Sequence, residues 1–172
     1  VLFITNSNVK HELTGSEYPT RVRQCKSAVS VLAKTYAQVT SLRDATMEML
    51  NAIEDSLPSV VYNRAKHVIE ENNRTVAAVA ALKSGDFGTV GMLMTQSHVS
   101  LRNLYDVSCP ELDYLVDLAL QCPGVYGSRM TGGGFGGCTI TLVERAQVAT
   151  LRAFVTKEYA ANTEHKCTCY EV

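Results

Sequence analysis

The chain has 172 residues, of which 46% are hydrophobic and 19% are charged, and its formal net charge is −1. A chain of this size can bury a hydrophobic core, and the near-neutral charge argues against a surface built to bind nucleic acid or another polyanion. No apolar run reaches the length of a membrane span, and the six cysteines lack zinc-ribbon spacing. We therefore expect a cytoplasmic protein with reduced thiols and with neither a nucleic-acid nor a membrane partner.

Hydrophobic periodicity and turn residues predict the secondary structure along the chain. Ser16 is expected to cap the first helix, a capping-box pattern at Ser41 and Asp44 to start the second, and Gly85 to end the third. In chain order, the sequence predicts a strand at 1–5, helices at 18–36, 41–53, 58–83, 87–105 and 110–123, strands at 126–131 and 138–143, a helix at about 148–159 and a strand at 168–172. This order predicts a single α+β domain over residues 1–172, with an antiparallel sheet of about four strands and helices on one face.

The segment SRMTGGGFGGCTI, at 128–140, concentrates five of the chain's eleven glycines between Gly132 and Gly137. Such clusters let a backbone turn tightly while a ligand, often a phosphate, comes close. The run matches the dinucleotide pattern GxGxxG, but that pattern requires a helix directly after it, and here a predicted strand follows. The loop is therefore expected to cradle an anion between two strands. No carboxylate adjoins it in the sequence, so we do not expect a complete reaction centre.

Other candidate residues have ordinary structural explanations. Asp86 opens the triplet that binds magnesium in protein kinases, but it precedes the glycine loop instead of following it, and we predict a helix cap. His67 and His98 are expected to be hydrogen-bonded structural residues. The HxCxC pattern at 165–169 lacks a fourth zinc ligand. Tyr18 leaves two interpretations open, since its ring could pack as a hydrophobic staple or its hydroxyl could meet a polar ligand.

Four stretches of the chain together resemble the galactokinase branch of the GHMP kinases. GSRMTGGGFGGCTITLVE resembles the third sequence motif of that family. Similar in order and spacing are ITNSNVKHELTGSEYPTRVRQC at 4–25, RAKHVIEENNRT at 64–75 and QSHVSLRNLYDVSCPELDYLVDLA at 96–119. The resemblance covers essentially the whole chain and implies the ferredoxin-like C-terminal domain of such a kinase. The chain also opens and closes inside predicted strands, so we expect a piece of a longer protein.

The resemblance implies a kinase that transfers the γ-phosphate of ATP to the 1-hydroxyl of galactose, with Mg²⁺ neutralising the triphosphate. It places the catalytic aspartate, its partner arginine and the ATP loop in an N-terminal domain against which this chain packs. We therefore expect no catalytic residue and no metal ligand in this chain, and no activity when it is isolated. The alternatives are an N-acetylgalactosamine kinase and a galactokinase-like sensor of galactose and ATP that binds a transcriptional regulator.

The resemblance also predicts which residues of this chain contact the sugar and the phosphates. Tyr18 matches the tyrosine that hydrogen-bonds the sugar in galactokinases, and this favours the ligand interpretation of that residue. Lys10 stands where relatives often have an arginine close to the phosphates. The loop that supports the phosphate site is matched by Thr131, Gly132, Gly133, Gly134, Gly136 and Gly137.

Overall fold

The computed structural model describes residues 1–9 and 17–172, and its strands form one four-stranded antiparallel sheet. The strands are β1 (Leu2–Asn6), β2 (Val125–Thr131), β3 (Cys138–Val143) and β4 (Thr168–Glu171). They lie in the order β2–β3–β1–β4, with Leu2 of β1 opposite Leu142 of β3 and Asn6 opposite Thr168 of β4. Helices connect β1 to β2 and β3 to β4, which is the ferredoxin-like topology. The predicted α+β class and antiparallel sheet are confirmed.

Six α-helices account for most of the remaining described residues. They are α1 (Glu17–Thr35), α2 (Met47–Asn51), α3 (Ser59–Ser84), α4 (Phe87–Ser100), α5 (Pro110–Leu120) and α6 (Val148–Asn162). Gly85 ends α3 in the left-handed conformation, with φ of 72°, as the sequence predicts. α4 continues into a π-helical turn at Leu101–Tyr105, so the predicted helix to residue 105 is present with a change of winding in its last turn. No helix in the described ranges is both long and apolar enough to cross a membrane.

The predicted helix at 41–53 is wrong at its start. The Asp44 carboxylate accepts hydrogen bonds from the backbone N–H groups of Thr40 at 3.0 Å and Ser41 at 2.8 Å, and it closes a turn. The Thr40 hydroxyl donates to the same carboxylate at 2.8 Å, and this bond, followed by the two amide bonds, lowers the pKa of Asp44 to about 2. The helix begins later, where Thr46 caps α2 by accepting from the N–H of Met49. A carboxylate that binds preceding amides competes with helix formation, which explains the error.

The two larger hydrophobic cores hold α1, α2, α3, α5 and α6 in place. The first lies between one face of the sheet and helices α5 and α6, since alternate strand residues point to that face. Its fully buried members include Phe3 of β1, Leu115 of α5, and Leu151 and Tyr159 of α6. The second core lies among α1, α2, α3 and the 36–46 connection; its buried residues are Ala28, Leu32, Val39, Leu42, Ala45, Leu50, Ile53, Val61, Ala65 and Ile69. α1 thereby joins the helical layer built on α3.

Helix α4 covers the outer edge of the sheet at β2. A Cβ added to Gly91 would lie 2.1 Å from the carbonyl oxygen of Tyr126, so only glycine allows this approach. The N–H of Met130 in β2 donates to Nδ1 of His98 in α4 at 3.2 Å. A sheet edge with unpaired amides invites unwanted pairing, and α4 satisfies two of them here, because the N–H of Ser128 also donates to the hydroxyl of Thr95 at 3.4 Å. The contact at Met130 fixes the end of β2, from which the glycine loop starts.

Candidate functional site

The glycine run forms the loop between β2 and β3, and its two halves differ in exposure. Thr131, Gly132 and Gly133 are exposed, whereas Gly136 is buried. The second half is held from two sides. The N–H of Phe135 donates to the carbonyl of Val107 at 2.7 Å, and the N–H of Ser7 donates to the carbonyl of Gly137 at 2.8 Å. One half of the loop is therefore anchored on the chain while the other faces outward.

Gly134 and Gly133 are glycines for different reasons. Gly134 has φ of 88°, and a Cβ there would lie 2.1 Å from the carbonyl oxygen of Val107. Both its backbone conformation and its packing therefore require glycine. Gly133 has no positive φ, and a Cβ there would meet nothing within 4 Å. Nothing within the described residues requires glycine at position 133, so an approach from outside them would explain its lack of a side chain.

Two buried arginines support the segment on which the loop is anchored. Arg21 of α1 donates from Nε to the carbonyl of Tyr105 at 2.8 Å, and Arg64 of α3 donates from Nη1 to the carbonyl of Leu104. Their side chains are only 7% and 9% exposed. Carbonyl groups at a helix end lack intrahelical partners, and guanidinium groups supply the donors here. Burial, followed by the nearby Arg21 charge, lowers the pKa of Arg64.

Asp106 completes this cluster and ends the π-helical turn with φ of 56°. Its carboxylate lies 2.9 Å from Nη2 of Arg64 and 3.4 Å from Nη2 of Arg21. It immediately precedes Val107, which accepts the hydrogen bond of the loop residue Phe135. The fold thus places a carboxylate beside the glycine loop, although none adjoins it in the sequence. Because both arginines hold this carboxylate, it serves as their counter-ion and is poorly placed to take a proton from a substrate.

Phe135 joins the arginine cluster to the glycine loop. Its side chain packs against the buried cluster to which Val107 and Met130 belong, and the guanidinium carbon of Arg21 lies 5.9 Å from the ring centroid. A guanidinium over an aromatic face is attracted by the negative charge of the ring face. α1, the π-helical turn and the glycine loop therefore meet at one place.

Tyr18 lies in the first turn of α1, three residues before Arg21, and is 78% exposed. So exposed a ring does not form the hydrophobic staple that was one of its two predicted roles. Instead it lines an open groove of about 780 Å³ together with Cys25 and Tyr105. Burial is the main cause that raises the pKa of Tyr105 to about 12. Lys10, the other predicted ligand contact in this region, and Ser16, the predicted cap, lie outside the described residues.

Comparison with known proteins shows which family the chain resembles. Residues 78–161 match the model of the C-terminal part of GHMP kinases. Over 158 residues the chain is 50% identical to the galactokinases of Bos taurus and Homo sapiens, covering 92% of this chain and 39% of each relative. The crystal structure of Lactococcus lactis galactokinase complexed with galactose is 35% identical and aligns with a TM-score of 0.92 over 98% of this chain and 44% of that one. Residues 78–161 are therefore similar to the C-terminal part of GHMP kinases, and most of the chain is similar to galactokinases.

The chain spans less than half the length of the relatives that it matches. The region matched by the family model contains α4, α5, the glycine loop and most of α6. The matched region therefore contains the loop and its anchor at Val107, whereas its second anchor, Ser7, precedes that region. Tyr18, Arg21 and Arg64 precede the matched region.

The sequence interpretation missed Arg21, Arg64 and Asp106. A signal for the arginines is present, because each occupies a position that helical periodicity assigns to the core. Arg21 lies on the face of α1 that carries the buried residues Ala28 and Leu32, and Arg64 lies beside the buried Ala65 in α3. A charged side chain at a core position needs a partner. Asp106 carries no comparable signal, because its partners are 42 and 85 residues away in the chain.

The histidines have the structural roles that the sequence predicts. Nδ1 of His67 lies 2.8 Å from the hydroxyl of Ser100, and the ring stacks on Tyr105 with centroids 4.5 Å apart. Burial lowers the pKa of His67 to about 4 and also lowers the pKa of His98. Both side chains are therefore neutral at pH 7. The predicted cap at Asp86 is also present, since its carboxylate accepts from the N–H of Thr89 at 3.0 Å.

Proposed function

We propose that the protein carrying this chain is a cytoplasmic kinase that transfers the γ-phosphoryl group of ATP to the 1-hydroxyl of galactose. The observation that carries the proposal is the fold match, at a TM-score of 0.92, to a galactokinase whose crystal structure contains galactose. Identity of 50% to two mammalian galactokinases supports the same assignment. All six cysteines are free thiols, which supports a reducing compartment.

The residues needed for the reaction are divided between this chain and the rest of the protein. We assign the catalytic base, its partner arginine and the ATP loop to the part of the relatives' length outside this chain. Within the chain, the only carboxylate of the loop's anchor segment, Asp106, is paired with two arginines. Phosphoryl transfer depends mainly on positioning and on electrostatic stabilisation. Backbone groups on an anchored loop supply both without rearranging during the reaction.

The exposed half of the loop is the part assigned to the phosphate site. Thr131, Gly132 and Gly133 face outward while Phe135 and Gly137 hold the loop in place. A phosphate or the ATP-binding domain close to Gly133 would explain a glycine that the chain itself does not require. The anchored half then fixes the position of the exposed half.

Tyr18 is the proposed sugar contact. Its exposed ring is free to accept a ligand, and it lies on the helix that carries Arg21. Because Arg21 contacts both the π-helical turn and Phe135, α1 positions Tyr18 relative to the glycine loop. One helix would thereby set the distance between the sugar and the phosphate.

The described residues do not fit a magnesium site. Mg²⁺ in phosphoryl-transfer enzymes is held by one or two carboxylates together with substrate phosphates. No group of three or more His, Cys, Asp or Glu side chains that could hold a metal exists in the described ranges. Asp106, the carboxylate next to the loop anchor, is occupied by Arg21 and Arg64. We therefore assign no metal ligand to this chain and no step to a metal bound by it.

A substrate panel on the full-length protein tests the proposed function. ATP consumption with galactose, and formation of galactose 1-phosphate, are expected. A preference for N-acetylgalactosamine would replace galactose as the substrate. Binding of galactose and ATP without turnover would show a sensor and would refute the assignment as a kinase.

Substitution of Gly133 tests the role of the loop. Gly133→Ala adds a methyl group in open space and at an ordinary φ, so we expect normal stability but reduced kcat/KM for ATP. Gly88→Ala is the matched control, because it adds the same group at an exposed glycine with only ordinary contact. Equal activity of the two variants would remove Gly133 from the site while leaving the substrate assignment unaffected.

A further inference from the structure

The exposed half of the glycine loop, residues 131–133, is held by a hydrogen bond on each side. Before it, the N–H of Met130 donates to Nδ1 of His98 in α4 at 3.2 Å. After it, the N–H of Phe135 donates to the carbonyl of Val107 at 2.7 Å. The two acceptors belong to different parts of the fold, α4 and the segment before α5. The position of the exposed half therefore depends on how these two parts are connected.

Asp113 of α5 connects them. Its Oδ1 accepts a hydrogen bond from the hydroxyl of Ser108, the residue directly after Val107. The same oxygen lies 3.2 Å from Nε2 of His98. Nε2 is buried and forms no hydrogen bond within the described part of the chain, so its contact with the carboxylate is electrostatic. His98 and Asp113 thereby join the two sides of the loop through side chains on two helices.

The hydrogen bond at Nδ1 fixes the tautomer of His98. A ring nitrogen that accepts from an N–H carries a lone pair, so the proton of the neutral ring lies on Nε2, which faces Asp113. Burial lowers the pKa of His98. The charged groups around the ring act in both directions, since two carboxylates raise this pKa and two guanidinium groups lower it: Asp113 and Asp117, and Arg102 and Arg129. The ring remains neutral at pH 7, and Nδ1 remains an acceptor.

Burial makes the bond between Met130 and His98 hard to replace. The two residues are 1% and 2% exposed. Met130 belongs to a smaller buried cluster whose other members are Leu101, Val107, Cys109 and Leu112. A backbone donor that loses its acceptor in such surroundings costs more than one at the surface, because water does not reach it. Removing Nδ1 would therefore release the Met130 side of the loop.

We propose that His98 is a positioning residue for phosphoryl transfer, which holds the glycine loop so that residues 131–133 face the phosphates. The inference rests on the proposed function, because it takes these residues as part of the phosphate site. Met130 directly precedes them, so any displacement at Met130 is passed on to them. Asp113 and Ser108 act one step further away, by orienting the His98 ring. Small displacements of groups around reacting atoms cost far more in rate than in stability.

Steady-state kinetics of the full-length protein with ATP and galactose test the inference. His98→Leu removes the acceptor, and kcat/KM for ATP should fall about 10- to 100-fold. The KM for galactose should stay the same, since Tyr18 lies on α1 and does not depend on this network. In His98→Asn the amide oxygen lies as many bonds from Cα as Nδ1 does, so kcat/KM for ATP should stay within about threefold of the unsubstituted value. A histidine with only a structural role would not affect one substrate alone.

Two further variants and a control separate positioning from stability. Ser108→Ala removes the hydroxyl that donates to Asp113, and kcat/KM for ATP should fall about 2- to 10-fold. The matched control is Ser84→Ala, whose hydroxyl donates within α3 to the carbonyl of Ala81 at 3.0 Å, and it should change nothing. Val148→Ala removes buried side-chain atoms from the core under α6. It should lower the urea midpoint without changing kcat/KM for ATP at a temperature where the protein is folded.

Two measurements do not depend on turnover. Hydrogen–deuterium exchange, followed by mass spectrometry, should be faster in the peptide covering residues 130–137 of His98→Leu than in the unsubstituted protein. His98→Asn should restore the protection. Nitrogen-15 NMR of the histidine-labelled protein should place the proton of the His98 ring on Nε2, with the His98→Asn spectrum identifying its signals.

Several results would overturn the inference while leaving the proposed function intact. They are unchanged ATP kinetics in His98→Leu, equal effects of that variant on both substrates, and a ring proton on Nδ1 of His98. If His98→Leu does not fold, an unchanged kcat/KM for ATP in Ser108→Ala overturns it instead. An unsubstituted protein that transfers no phosphate would refute the proposed function. Loop exchange in the His98 variants would then still decide whether His98 holds the loop, and equal exchange in all of them would show that it does not.

Discussion

Alanine substitutions at three glycines of the β2–β3 loop should have three different effects on stability, although the chemical change is the same. Gly133→Ala adds a methyl group in open space at an ordinary φ. Gly137→Ala also adds it in open space, but at φ of 86°. Gly134→Ala adds it at φ of 88° and 2.1 Å from the carbonyl oxygen of Val107. The series therefore separates backbone conformation from steric contact.

The magnitudes follow from these differences. Replacing glycine by alanine at a compatible φ stabilises by about 0.4–1 kcal/mol, because the unfolded chain loses freedom, so Gly133→Ala should be neutral or slightly stabilising. A left-handed conformation costs an L-residue about 1–2 kcal/mol, which is the expected loss for Gly137→Ala. Gly134→Ala carries that cost and also displaces Val107, whose carbonyl accepts from Phe135. Losing that hydrogen bond adds about 0.5–1.5 kcal/mol, for a total of roughly 1.5–3.5 kcal/mol.

Urea unfolding of the full-length protein and its variants, monitored by circular dichroism, measures the series. The expected order of transition midpoints is Gly133→Ala at or above the unsubstituted protein, then Gly137→Ala, then Gly134→Ala. Gly88→Ala serves again as the control for glycine replacement at an exposed site of ordinary φ. Equal losses at positions 133 and 134 would refute the reasoning, because the steric contact with Val107 would then play no part.

Three further predictions concern the surroundings of the loop. Tyr18→Phe should weaken galactose binding by about 0.5–1.5 kcal/mol without changing ATP affinity or stability, because the side chain is 78% exposed; calorimetry with each ligand checks this, and unchanged galactose affinity would remove Tyr18 from the sugar site. Arg64→Leu should destabilise the protein by about 2–3 kcal/mol, because the carbonyl of Leu104 loses its buried donor; the exposed Arg43→Leu is the control in urea unfolding. His67 has a folded pKa of about 4, below its unfolded value of about 6.5, so its contribution is present above pH 6.5 and is lost as the pH falls through 4. The free energy of unfolding should fall across this range by up to about 3 kcal/mol. In the His67→Gln variant, the urea midpoint should depend less on pH than in the unsubstituted protein.

The outline of the fold was predictable where local signals agree. Gly85 ends α3 and Asp86 caps α4 as predicted, because left-handed glycine and side-chain caps act through neighbouring residues alone. Asp44 shows the limit of this reasoning. The same short carboxylate can bind amides before it or after it, and the sequence does not distinguish the two.

The site was predictable only in part. The glycine run marks the loop, since a cluster of residues that cost backbone entropy needs a local reason. The sequence did not show which glycines are required by the backbone conformation or by close packing and which are not. That depends on Val107 and Ser7, which come from distant parts of the chain. The arginines that support the loop anchor occupy core positions, a signal that could have been used.

The sequence by itself determined the order of strands and helices, the loop between β2 and β3, and the resemblance to GHMP kinases. These features depend on residues that are neighbours along the chain, so hydrophobic periodicity, helix-capping residues and sequence motifs predict them directly. Only the tertiary structure decided that Asp106 stands beside the glycine loop as a counter-ion and that Tyr18 faces solvent. Each of these depends on contacts between residues that are far apart in the sequence, and local sequence patterns do not predict such contacts.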